Sequence, residues 1–283
     1  MKKILVPTDF TQEADNAVET ARMLAKKFKA KIVFLNVIEL SSGEVINTSG
    51  GPSNYASFTD GMLIHESLKR SEEEMTRLVE VSKFQGISSE YEVKLGNPFG
   101  HIFSTVKEHD IDFIVMGTKG ASGLSEIIIG SNTEKVVRKA KCPVLSIKEP
   151  MAEDSFENIV YATNFGERED NVVKAIKDLQ SVFDSKVHLV WINTPNNFKS
   201  DVSNRPMLDD FASKHGLENY TINVYNDIIA EDGIRHFADY IDADLIVMGT
   251  NSYTGLSRVI RGSVAEDMVN HAVRSVMTVT MKE

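Results

Sequence analysis

The second part of this chain repeats the first, and a fold that must be built twice leaves few architectures open. Residues 110–144 align without a gap on residues 242–276, with 17 identities in 35 positions. DxIVMGT recurs at Asp112–Thr118 and Asp244–Thr250, GLS at Gly123–Ser125 and Gly255–Ser257, and GS at Gly130-Ser131 and Gly262-Ser263. The openings correspond too, KILVPTDF (Lys3–Phe10) with NIVYATNF (Asn158–Phe165). The offset between copies is 155 at this end and 132 at the other, so the second copy lacks 23 residues in between. The extra residues of the first copy fall in the stretch 41–70, whose opening SSGEVINTSGGPSN has neither a strand nor a helix period and reads as a long loop. A chain of 283 residues accommodates two domains of ordinary size. Their boundary falls in the charged, proline-containing stretch Lys148–Asn158, giving domains over 1–149 and 156–283.

Each copy alternates short β-branched runs with amphipathic stretches. In the first, strands are predicted at Ile4–Val6, Ile32–Ile38, Tyr91–Leu95, Phe113–Met116 and Val144–Ile147. Helices are predicted at Thr11–Phe28, from about Gly61 to Phe84, at Pro98–Glu108 and at Ser131–Ala140. Alternation of this kind gives an α/β fold, a parallel sheet with helices on both faces, and right-handed crossovers favour an open, doubly wound sheet. Five strands fit the order 3-2-1-4-5, in which the chain reverses between strands 1 and 4. Ligands bind at the carboxyl ends of strands beside such a switch point. The fifth strand of each copy, Val144–Ile147 and Val276–Val279, would be an apolar edge that invites pairing.

The bulk properties narrow the partners. A net charge of −10 opposes general nucleic-acid binding, which needs Lys and Arg on phosphates. No run approaches the ~18 apolar residues of a membrane span, and the apolar stretch after Met1 ends at Thr8-Asp9, too soon for a signal-peptide core. Cys142, the only cysteine, cannot form an internal disulfide, so a cytoplasmic setting is expected.

One constellation carries chemistry. After the fourth strand come Gly117-Thr118-Lys119-Gly120, nine residues, and Gly130-Ser131 opening a helix, the pattern G-x2-G-x9-G-S. Gly117 would let the chain turn off the strand, and Gly120 would let backbone approach a ligand. The helix start at Gly130-Ser131 offers N–H groups and positive dipole to an anion. Asp9, at the end of the first strand, could accept from a ribose hydroxyl or hold a phosphate-bound Mg²⁺. These residues follow strands 1 and 4, where the topology puts a ligand.

On these motifs the chain resembles the universal stress protein family over essentially all of both copies, G-x2-G-x9-G-S being that family's ATP-binding signature. The resemblance implies an adenine nucleotide α-hydrolase-like fold and a site for ATP, ADP or AMP, with Mg²⁺ on the side of Asp9. Val37 would flank the adenine, Asp9 the ribose and metal, and Gly117, Gly120, Gly130 and Ser131 the phosphates. Pro7, Thr8, Met116 and the backbone N–H of Asn132 complete the implied set. The family's edge strands meet across a dimer, so a tandem chain is expected to make an internal pseudo-dimer; a further homodimer and an unidentified protein partner stay open.

The second copy departs from the pattern. Gly249, Gly262 and Ser263 are kept, but Ser252 replaces the second glycine and Asn164 replaces the strand-end aspartate. A Cβ where phosphate should lie and a missing charge together argue for a degenerate site. The expected function is that of an ATP-binding regulatory protein of the stress response, with binding and not turnover as its output. No Walker lysine or arginine finger is recognisable; Lys119 and Arg138 are the cations that could approach phosphates. The alternatives are a slow Mg²⁺-dependent ATPase and an ATP-independent scaffold working through the 41–70 loop. His101 and His109 read as surface residues, Cys142 as a core filler, and Trp191 as packing at the domain junction.

Overall fold

The computed structural model describes residues 1–39, 54–118, 130–152, 155–163, 165–166, 168–250 and 264–281, without the side chains of 54–60, 131 and 266. The first copy runs β1 (Lys3–Pro7), α1 (Gln12–Phe28), β2 (Lys31–Ile38), α2 (Asn54–Phe84), β3 (Ser89–Leu95), α3 (Pro98–Glu108), β4 (Phe113–Gly117), α4 (Ser131–Lys139) and β5 (Val144–Ile147). The second runs β6 (Asn158–Ala162), α5 (Asp170–Phe183), β7 (Lys186–Asn193), α6 (Asp201–His215), β8 (Tyr220–Asn226), α7 (Ala230–Tyr240), β9 (Leu245–Thr250), α8 (Val264–His271) and β10 (Ser275–Thr280). Local chemistry sets several of these limits. The Thr11 side chain caps α1 by accepting from the Ala14 N–H, Glu13 and Asp15 sit at the positive end of its dipole, and Lys29 in the left-handed region stops it. Asn97 caps α3 in the same way, with Pro98 pre-set at the first helical position.

The strands form one ten-stranded sheet in the order β3-β2-β1-β4-β5-β10-β9-β6-β7-β8. Each half therefore has the expected order 3-2-1-4-5, and the two edge strands meet. Val276, Met277 and Thr278 lie antiparallel to Ser146, Leu145 and Val144, whereas the other pairings are parallel. The seam is internally symmetric. Asn16 Nδ2 donates to the Lys148 carbonyl at 3.1 Å, and its repeat counterpart Asn171 donates to the Thr280 carbonyl at 3.2 Å. Lys148 Nζ also reaches across to the carbonyls of Asn270 and Ala272.

Two apolar layers flank the sheet, and each is continuous through both halves. On the face of α1, α2, α5 and α6, Phe28 meets its counterpart Phe183 edge-on at 6.3 Å. Phe156, from the stretch between the halves, is fully buried and stacks on Phe183 at 4.5 Å. The opposite layer packs α3, α4, α7 and α8 against the sheet and includes Cys142, whose thiol burial pushes up to about 12. Among the described residues no helix is long and apolar enough to cross a membrane.

The structure corrects one element. α2 begins at Asn54, not near Gly61, so the helix starts where the stretch read as a loop ends; residues 40–53, nearly all of that stretch, lie outside the described residues. Residues 61–70 are almost entirely exposed, Met62 and Leu63 included.

Because the layers and the sheet run through the seam, the halves are expected to unfold together. Trp191, the only tryptophan, lies in the second half. Its fluorescence and the far-UV circular dichroism of the whole chain should give superimposable urea transitions. Placing Asp at Leu145, buried in the seam, should separate the two curves.

Candidate functional site

The carboxyl ends of β1 and β4 are neighbours at the point where the chain reverses, Ile4 and Leu5 pairing with Phe113 and Ile114. β1 ends in a tightly tied corner. Thr8 is buried; its N–H donates to the Leu35 carbonyl at 2.9 Å, and its carbonyl accepts from Asn36 Nδ2 at 2.8 Å. Phe10 takes φ of 61°, with its N–H on the Thr8 hydroxyl at 3.1 Å. Between them Asp9 is exposed, and its Oδ1 accepts from the Thr11 N–H at 3.2 Å and the Thr11 hydroxyl at 2.6 Å. The carboxylate predicted to face a ligand is thus anchored through one oxygen to the start of α1.

At the end of β4, Gly117 is required for a reason different from the one expected. Its φ is not positive; a Cβ there would lie 2.7 Å from the carbonyl carbon and oxygen of Glu13. The missing side chain lets the backbone of α1 press against β4. Thr118 then donates its N–H to the Ile147 carbonyl at 3.1 Å and accepts from the Gly130 N–H at 2.8 Å, which returns the chain to the strand end. The Thr133 hydroxyl donates to the Gly117 carbonyl at 3.0 Å, locking the first turn of α4 beside β4. Gly130 is the N-cap residue of α4 and brings no side-chain cap bond to that turn. Thr118 Oγ1 is buried next to it and has no partner, a condition that costs about 1–3 kcal/mol where nothing binds.

Strand alternation gathers the apolar members of the predicted set. Met116 belongs to the α3–α4 layer, and Val37 packs on it half-buried. Pro7, two residues beyond Leu5 of the same layer, shares that side of β1. Asn132 stands half-buried in the first turn of α4, after Ser131 at its first position. Gly120 and Lys119 lie outside the described residues. Arg138 sits in the last turn of α4, paired with Glu134 at 2.9 Å, away from the end that would meet phosphate. Sequence reading passed over Asn36, Thr118 and Thr133. The recurrence of Thr at positions 118 and 250 is a signal for Thr118; Asn36 and Thr133 are replaced by Trp191 and Ala265 in the second copy.

In the second half, Asn164, Ser252, Gly262 and Ser263 lie outside the described residues, but the surrounding frame is described and differs. Phe165 keeps the corner, with φ of 58° and its N–H on the Thr163 hydroxyl at 2.9 Å. α5 starts at Asp170, and the residue before it, Glu169, is buried under the end of β6. Its carboxylate accepts from the Tyr161 hydroxyl, the Thr163 hydroxyl and, at 2.9 Å, the Gly166 N–H. Burial and that carboxylate push the Tyr161 phenol well above its usual range. The repeat counterpart of Glu169 is Ala14, so the second strand end holds an internal anion the first does not. Trp191 stands in the place of Asn36 and stacks on Phe165 at 5.8 Å, its Nε1 donating to Asn193 Oδ1 at 2.9 Å. It packs inside the second half and not at the junction between halves. Gly249 no longer meets a helix backbone; a Cβ there would lie 2.8 Å from Met281 Sδ.

Among the described residues no group of three or more His, Cys, Asp or Glu could hold a metal ion by itself. His109 is engaged at both ring nitrogens by Glu90 at 3.2 Å and Glu92 at 3.1 Å, and His101 Nε2 lies 3.0 Å from the Leu95 carbonyl.

The two conserved-in-place glycines should respond differently to alanine. Gly117→Ala drives a Cβ into fixed backbone and should cost about 1–3 kcal/mol in urea unfolding. Gly249→Ala meets the end of a flexible methionine and should cost less than about 1 kcal/mol. Glu169→Ala strands three buried or half-buried donors and should cost about 2–4 kcal/mol, with Glu169→Gln recovering part of the loss.

Comparison with known proteins agrees with this frame. The profile of the Universal stress protein family matches residues 1–148 and again residues 155–280. A universal stress protein of Methanocaldococcus jannaschii is 31% identical over 153 residues, covering 54% of this chain and 85% of that protein. Another, from Synechocystis sp., is 28% identical over 152 residues, 52% of this chain and 97% of that protein. A solved universal stress protein from Archaeoglobus fulgidus superposes with a TM-score of 0.75 at 21% identity, covering 98% of both chains, which speaks for the fold alone. The double profile match, on a sheet whose two halves share one strand order, makes this chain a member of the universal stress protein family that carries the family's domain twice.

Proposed function

We propose that the first half binds an adenine nucleotide, ATP before ADP or AMP, and that the chain acts as a nucleotide-responsive regulator in the stress response. The observation that carries this reading is the buried, unpartnered Thr118 hydroxyl beside the side-chain-uncapped N-terminus of α4. A buried hydroxyl without a partner and a helix start without a side-chain cap from its N-cap residue, among the described residues, favour an anion there, as does the helix dipole. The sheet topology supports the same place, since it lies at the switch point between β1 and β4. Pro7, Thr8, Val37 and Met116 would frame the base. Asp9 stands on the ribose side, where its second oxygen could share a phosphate-bound Mg²⁺. Gly117, Gly120, Gly130, Ser131 and the Asn132 N–H would hold the phosphates.

The second half does not bind nucleotide in this reading. Glu169 places a carboxylate at the end of β6, where a polyphosphate would meet like charge. Asn164 and Ser252 remove the acid and the second glycine that the first half keeps. The internal pseudo-dimer then presents one nucleotide state per chain, to be read by a protein partner.

Calorimetric titration of ATP–Mg²⁺ is expected to give one site per chain. Gly130→Glu, which sets a carboxylate at the helix start, should weaken binding more than 100-fold, and Asp9→Ala roughly tenfold, a loss of about 1.4 kcal/mol. Circular dichroism melts of both variants establish that they are folded. Two sites per chain would overturn the assignment of the second half, and no heat with any adenine nucleotide would overturn the reading itself. Chromatography of the incubated nucleotide separates binding from turnover: ADP release no faster than in Asp9→Ala is the expected result.

A further inference from the structure

The first half has a second concavity, on the opposite face of the sheet from α4. Between α1 and α2 lies a cavity of about 300 Å³, lined by Phe10, Asp15, Arg22, Arg70, Glu74, Arg77, Leu78 and Val81. That is the lower end of the size range for small-molecule pockets. Its charges are not all spent on one another. Arg22 is committed, with Nε on Ser82 Oγ at 3.1 Å, Nη2 on the Leu78 carbonyl at 3.0 Å and Nη1 on Glu19. Arg77 is paired with Glu74 at 3.1 Å. After these pairs are set aside, Arg70 on one wall and Asp15 on the other have no side-chain hydrogen bond or ion pair among the described residues. Burial and the neighbouring Glu19 hold the Asp15 carboxyl above its ordinary range, with the Arg22 guanidinium pulling the other way. Phe10, Leu78 and Val81 add an apolar wall.

The second half supplies an internal control, because the same place in the repeat is filled and neutralised. Aligned on the matching glycine turns that end them, at Gly86 and Gly216, α6 corresponds to the C-terminal half of α2, with Ser200 in the place of Arg70 and Asn204 in that of Glu74. The cation is absent there, and the nearby Arg205 is paired with Asp201 at 3.1 Å. Asp170, the counterpart of Asp15, meets His215 at 3.4 Å. Phe211 packs on Phe165 at 5.3 Å and on the His215 ring at 4.5 Å, occupying the volume. One chain has thus built the same pair of helices twice, once closed on itself and once open with one cation and one anion facing a cavity.

We propose that the α1–α2 cavity of the first half is a binding site for a small zwitterion of free-amino-acid type, its carboxylate on Arg70 and its ammonium on Asp15. A guanidinium takes a carboxylate through two parallel N–H bonds, which fixes the orientation of such a ligand. A side chain of the ligand would lie on Phe10, Leu78 and Val81. The partners are partly solvated, so a Kd on the order of 0.1–1 mM is expected. The site is independent of the nucleotide reading. Phe10 adjoins both, and the carboxylate of Asp9 acts on that of Asp15.

The test is saturation-transfer NMR on the full chain with each of the twenty free amino acids, followed by titration of the one that binds most tightly. Its N-acetyl form, which lacks the ammonium, and its methyl ester, which lacks the carboxylate, should each bind at least tenfold more weakly. Arg70→Gln and Asp15→Asn, exposed substitutions expected to leave the fold intact, should weaken the parent amino acid at least tenfold. Gly130→Glu should leave it unchanged, so failure of the nucleotide reading does not touch this one. The proposal is overturned if none of the twenty gives a signal. It is overturned equally if the blocked derivatives bind as well as the parent, or if both variants bind like wild type.

Discussion

Val276, Met277 and Thr278 lie antiparallel to Ser146, Leu145 and Val144, and every other feature of the molecule depends on that short pairing. Each half alone would be an open five-stranded sheet ending in an apolar edge, the kind of edge that pairs with whatever strand it meets. Joined in one chain, the two edges satisfy one another. Because successive residues of a strand face opposite sides, Leu145 and Met277 enter one apolar layer while Val144 and Val276 enter the other. The seam therefore fuses both cores at once. Asn16 and Asn171 close its two ends with equivalent side-chain bonds, and Phe28 against Phe183 marks the internal axis.

Within that shared frame the halves have diverged where the strands end. In the first, α1 runs up to β4 so closely that only a glycine at position 117 fits, and the strand end next to it keeps a hydroxyl without a partner. In the second, α5 starts later and Glu169 turns inward to take the donors of Tyr161, Thr163 and Gly166. The counterpart of Thr118 at the end of β9, Thr250, lies with its hydroxyl 3.5 Å from that of Thr280, and the end of β6 carries a buried Glu169 where the first half has Ala14. The same contrast holds on the face of α1 and α2 against α5 and α6, where an open, charged cavity in one half answers a packed aromatic cluster in the other. Duplication gives a second copy this freedom, because architecture can be conserved by the sheet while ligand chemistry lapses.

The sequence by itself determined the repeat, the strand order and the position of the candidate site. β-branched runs, capping residues and glycine spacing are local signals, and parallel alternation leaves few topologies. Strand limits came within two residues at each end of the first copy, and the fifth strand and α3 matched outright. It also located Asp9, Gly117 and Gly130 at the switch point. The N-terminal extension of α2 to Asn54 escaped it. Tertiary structure alone decided what each residue does there. Gly117 is required by the backbone of Glu13 and not by a turn, since close approach of two distant segments leaves no local mark. Asn36 and Thr133 brace the site through bonds to Thr8 and Gly117, remote in the chain. Glu169 reads in sequence as one more surface acid in GERED, and only the fold reveals it as a buried anion. Hydrogen bonds and charge pairs across tens of residues depend on where folding places them, and for that reason the sequence determines the strand order and its switch point while the tertiary structure decides which side chains meet there.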